Sequence, residues 1–150
     1  MTDFPFRLRP IDPAVANDLR ANATVIQVAD EKPGFPCRQC LRDAEIGEEL
    51  VLVSYDPFTK DSPYRGRGPI FLHRVPCEPW HDDAKIPQQQ LGRRLSFRAF
   101  SSDEMMIEAE VVEGPAFQAI ASKMLLDERV EFINVHNASP GCWALRVERP

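Results

Sequence analysis

Apolar residues take every second position in the opening segment FPFRLRP: Phe4, Phe6 and Leu8. A period of two places them on one face of an extended chain, so a strand is expected here. The period then changes. In DPAVANDLRA, Asp12 offers a carboxylate to free backbone N–H groups and Pro13 suits a first helical position, which predicts a short helix ending near Asn22. ATVIQVA, ELVLVSYD and PIFLHRV are rich in β-branched and aliphatic residues and read as strands. The segments between them are punctuated by Pro and Gly: DEKPGFP, PFTKDSPYRGRG and PCEPWHDDAKIPQQQ read as loops, the last with a helical turn at its end. CRQCLRD is short and reads as extended.

RLSFRAFS and EMMIEAEVV alternate on either side of SSDE. This predicts a hairpin that sets Phe97 and Ala99 against Met106, Glu108 and Ala109. In GPAFQAIASKMLLD the spacing switches to three and four, and Phe117, Ile120, Ala121, Met124 and Leu125 share one helical face. RVEFINVHN and CWALRVE are two further strands around an ASPG turn. About eight strands and two main helices, without strict β-α-β alternation, predict an α+β fold. The expectation is one domain over residues 1–150, built on a curved, mostly antiparallel or mixed sheet.

Composition narrows the function. The chain has 18 Lys and Arg against 23 Asp and Glu, a net charge of −5, so a basic nucleic-acid face is not expected. No apolar run approaches the roughly 20 residues of a membrane helix. MTDFPFRLRP lacks the charged-then-apolar order of a signal peptide. A cytoplasmic protein without a membrane partner is expected, its four cysteines reduced.

The segments DEKPGFPCR, LRDAEIGEELVLVSYDPF, DSPYRGRGPIFLH and HNASPGCWALRV, in that order, resemble a bacterial family named domain of unknown function 1203. The resemblance spans most of the chain. It implies an uncharacterised protein and assigns no activity.

Candidate chemistry lies in three loops. Lys32–Arg38 and Ser62–Gly68 are rich in Pro and Gly and carry cations, notably Arg38 and Arg65. A guanidinium fork suits a carboxylate or phosphate, and the plainer alternative is pairing with local acids such as Asp30, Glu31 or Asp61. His136–Cys142 places His136, Asn137 and Cys142 around a turn. If the three loops converge, Arg38, Arg65, His136 and Asn137 would line a pocket for a small anionic ligand, and this is the leading expectation. One alternative is an enzyme with a nucleophile–base pair, Cys37 or Cys142 with His136. Another is a metal protein, with zinc held by Cys37, Cys40, His136 and Cys142. No cofactor is expected under the leading reading. His73, Cys77, His81, Asp82 and Asp83 are also ligand types, but Pro76 and Pro79 exclude a common helical face, so this stretch reads as a surface loop.

Overall fold

The computed structural model describes residues 5–81 and 85–150, so Phe4, Asp82 and Asp83 lie outside the described residues. Phe6 and Leu8 are buried, Leu8 as the central residue of β1 (Arg7–Arg9). Helix α1 (Pro13–Ala21) starts as expected: the Asp12 carboxylate accepts hydrogen bonds from the N–H groups of Ala14 and Val15. The strands β2 (Ile26–Val28), β3 (Glu49–Tyr55) and β4 (Gly68–His73) follow. After a helical turn, α2 (Gln88–Leu91), come β5 (Arg94–Phe100) and β6 (Met106–Glu113). A 3-10 turn (Gly114–Ala116) leads into α3 (Phe117–Met124), and β7 (Phe132–Asn137) and β8 (Trp143–Glu148) close the chain.

The class is α+β, but the strands form two antiparallel sheets where one was expected. Five strands run in the order β1-β8-β7-β5-β6 and three in the order β2-β3-β4. The hairpin forms as read: Ala99 faces Glu108, Phe97 faces Glu110 and Phe100 faces Met106, with a bulge between Ala99 and Phe100. Glu104 supplies the left-handed residue of its turn, with φ of 61°.

One face of the five-stranded sheet is covered by α3. Phe117, Ile120 and Met124 pack there against Leu95, Phe97 and Val135. Phe97 and Phe117 meet edge to face at 4.9 Å, an arrangement the ring quadrupoles favour. A second core joins α1 and the three-stranded sheet to the start of β8. It holds Ala16, Val51, Leu72 and Trp143, together with Cys37 and Cys40. Those two thiols therefore lie in an internal layer.

CRQCLRD is a turn where an extended segment was expected. Pro36 and Asp43 bridge antiparallel, the Cys37 N–H donates to Arg42 O at 3.0 Å, and Leu41 takes φ of 57°. A left-handed leucine costs about 1 kcal/mol or more. The surrounding contacts must hold it there, and burial of its side chain in the larger core is one of them.

Candidate metal centre and the adjoining cavity

The 36–43 turn is docked on the end of β4. Cys37 forms a parallel bridge to Phe71, and the Arg38 N–H donates to Phe71 O at 3.1 Å. This brings Cys37 and Cys40 beside His73, the last residue of β4. The chain then turns back. The Gln39 amide donates to Cys77 O at 2.7 Å and so fixes a third cysteine next to the first two. One ligand atom from each of Cys37, Cys40, His73 and Cys77 lies within 4.8 Å of all the others. The Cys37 and Cys77 sulfurs are 3.7 Å apart, and Cys40 Sγ is 3.6 Å from His73 Nδ1. All four cysteines of the chain are free thiols.

Hydrogen bonds from Cys40 and Cys77 hold the Cys37 thiol well below its ordinary range, against the opposing effect of burial. The same contacts with Cys37 and Cys40 push Cys77 up. His73 is pushed up to about 10, first by Cys37 and then by Cys40. The cluster therefore favours negative charge on sulfur with a cation beside it. Other groups complete the surround. The His73 N–H donates to Cys37 Sγ at 3.4 Å, and His73 Nε2 meets Glu48 Oε1 at 3.1 Å. Arg20 donates to His73 O at 2.7 Å, and its Nη2 lies 3.9 Å from Cys77 Sγ. The Arg42 guanidinium is held high in its protonated form, chiefly by a hydrogen bond to Cys40.

Four protein ligands, three soft and one imidazole, match a closed metal site of the structural kind. The carboxylate on the far ring nitrogen of His73 is the usual outer partner of a ligating histidine. Sequence reasoning paired Cys37 and Cys40 with His136 and Cys142. The fold instead brings them to His73 and Cys77, from the stretch read as a surface loop. The signal, visible in sequence but set aside for want of a common helical face, is the short spacing His-x3-Cys, which supplies a second ligand pair after Cys-x2-Cys. It needs no helix, because a strand end followed by a turn presents both side chains. His81 is exposed and outside the cluster.

The remaining candidates lie around two cavities. Arg38 is 1% exposed. Its Nε donates to Trp143 O at 2.8 Å, Nη1 to Pro36 O at 2.6 Å and Nη2 to Cys142 Sγ at 2.9 Å. The segments EKPGFPCR and VHNASPGC thus meet. Gly141, at φ of 81°, closes the second segment's own turn: its N–H donates to Asn137 O at 2.9 Å, in a conformation costly for any residue with a Cβ. Between the two segments lies a cavity of about 530 Å³, lined by Arg38, Asn137 and Cys142 together with Arg93 and Arg94, and by apolar residues that include Pro33, Pro69 and Phe71.

His136 lies on a neighbouring cavity of about 380 Å³, with Arg67 and Gly68 from the second cationic loop. Its Nδ1–H donates to Gly141 O at 2.9 Å, and burial pulls its pKa down to about 4, which leaves the ring neutral. Among the described hydrogen bonds, neither Cys37 nor Cys142 pairs with this ring; Cys142 Sγ is held by Arg38 and Asn137. Arg65 pairs with Asp56 at 2.7 Å, and Lys32 pairs with Glu45.

The fold and the site define an α+β protein with a partly buried Cys3His cluster. The chain matches the family model "Protein of unknown function (DUF1203)" over residues 34–149, and it belongs to that family. No curated protein and no solved structure matches it. Among the described residues, no helix is long and apolar enough to cross a membrane.

Proposed function

We propose that the chain is a zinc-binding protein and that Cys37, Cys40, His73 and Cys77 hold one ion in a closed tetrahedral site. The observation that carries this reading is metrical. Bonds of about 2.3 Å to sulfur and about 2.0 Å to nitrogen give tetrahedral edges of about 3.8 Å between sulfurs and about 3.5 Å from sulfur to nitrogen. The separations of 3.7 Å for Cys37–Cys77 and 3.6 Å for Cys40–His73 fit those edges. Three thiolates select zinc over hard cations such as magnesium or calcium. With all four positions filled by side chains, the ion has a structural role, tying the 36–43 turn to the end of β4. Three thiolates and a divalent ion leave one negative charge, which Arg20 and Arg42 offset.

Elemental analysis of protein purified without chelator tests this. About one zinc per chain is expected. Its release should track titration of the cluster thiols with a mercurial. Protein that holds no zinc, and takes up none when reduced and supplied with it, would overturn the reading.

A second reading, binding of a small acidic ligand, is supported by the cavity between the Lys32–Arg38 and His136–Cys142 segments. Its lining contains Arg38, Arg93 and Arg94 and, among the described residues, no Asp or Glu. Arg93 and Arg94 are ion-paired with Asp43 and Glu113, whereas the partners of Arg38 are two carbonyls and a sulfur. A buried cation lacking a carboxylate is costly, and an anionic ligand would balance it.

A further inference from the structure

The ligand class can be narrowed from the groups at the Arg38 end of the cavity, on the strength of the second reading above. Asn137 is 6% exposed, and its Oδ1 is buried without a hydrogen-bond partner. Its amide nitrogen lies 3.6 Å from Cys142 Sγ. A buried acceptor left unsatisfied costs about 1–3 kcal/mol, and most such groups in native proteins find a donor. The cavity that Asn137 lines therefore holds two unmet demands side by side: a cation without a carboxylate and an acceptor without a donor. Arg38 commits three of its N–H groups to Trp143 O, Pro36 O and Cys142 Sγ, and a guanidinium carries five. Its charge is shielded from bulk water and so is little screened. The same lining has apolar residues, Pro33, Leu52, Pro69, Phe71 and Pro140.

We propose that this cavity binds a small carboxylic acid bearing a hydroxyl or amino group next to the carboxylate and an apolar body. The carboxylate lies at the Arg38 end, the neighbouring O–H or N–H donates to Asn137 Oδ1, and the body rests on the proline and phenylalanine walls. A simple fatty or aryl acid would satisfy only the first and third demands. A sugar phosphate would leave the apolar walls unused.

The test is isothermal titration of the metal-loaded protein with three probes on one skeleton: 3-phenyllactate, 3-phenylpropionate and 3-phenylpropanol. Each enantiomer of the lactate is titrated separately. One lactate enantiomer should bind about tenfold more tightly than the propionate, the worth of one hydrogen bond to a buried acceptor. The alcohol should bind weakest. In Asn137→Leu, which keeps the side-chain size, the lactate advantage should vanish while propionate affinity is retained. If that variant does not fold, the wild-type ranking decides. Equal binding of lactate and propionate would overturn the inference and leave the acidic-ligand reading standing. Failure of both acids to bind, or an alcohol as good as the acids, would overturn that reading as well. Neither outcome touches the zinc site.

Discussion

Replacing Cys77 with Ser should abolish a zinc-dependent part of the stability, and replacing Cys142 with Ser should not. The larger core, where α3 packs on the five-stranded sheet, contains none of the four cluster residues, and only their neighbour Leu41 reaches it. The cluster belongs to the smaller core between α1, the three-stranded sheet and the start of β8. Backbone hydrogen bonds such as Arg38 N–H to Phe71 O and Cys37 N–H to Arg42 O also hold the turn. The zinc-free chain should therefore stay folded but lose stability. With free zinc about a thousandfold above its dissociation constant, the linked contribution is about 4 kcal/mol. For a chain of this size, each kcal/mol moves the melting temperature by about 2–4 °C. Thermal melts of the reduced wild type with zinc and with excess chelator should thus differ by about 8–16 °C. Cys77→Ser should melt near the chelated wild type and respond little to either addition. Cys142→Ser should keep the full zinc response, because its sulfur serves Arg38 and Asn137 and no metal. A zinc response that survives Cys77→Ser but disappears in Cys142→Ser would refute the ligand set. Complete unfolding on chelation would refute the claim that the larger core stands alone.

Phe117→Ala empties a fully buried ring site between Phe6 and Phe97. The urea midpoint should fall by the equivalent of about 3–5 kcal/mol, and an unchanged midpoint would contradict the packing of α3. His136 titrates at about 4 in the folded chain against 6.5 ordinarily, because burial disfavours its charged form. The unfolded chain therefore holds more protons between those values, so this group's contribution is fully present above about pH 6.5 and is lost as pH falls toward 4. The loss is on the order of 3 kcal/mol. His136→Gln should remove that part of the slope in urea titrations taken across this range. Glu104, 2% exposed, accepts from the backbone N–H groups of Thr59 and Lys60 and from the Thr59 hydroxyl. Glu104→Ala should strip amide-exchange protection from residues 59 and 60 and cost about 2–3 kcal/mol, the range for hydrogen bonds to a charged group; unaltered exchange there would count against that anchor.

What the sequence determined by itself is local. Alternation at Phe97 and Ala99, the three-four spacing of Phe117, Ile120 and Met124, and the Asp12–Pro13 start of α1 each express a preference that acts over a few residues. The α+β class followed from their order. The meeting of EKPGFPCR with VHNASPGC was also anticipated, since both are Pro and Gly turns at strand ends with polar groups unsuited to a sealed core. Tertiary structure decided the rest. Whether eight strands form one sheet or two depends on pairings across long sequence separations, such as β1 with β8, and no local period encodes them. The partner of Cys37 and Cys40 was decided in the same way. His136 with Cys142 and His73 with Cys77 offer the same chemistry in sequence. The Phe71 bridge to Cys37 sets the turn on the end of β4 and so selects the second pair. The same docking drives Arg38 inward, where Pro36 O and two acceptors from a distant segment, Trp143 O and Cys142 Sγ, hold a charge that local sequence alone would have left in water.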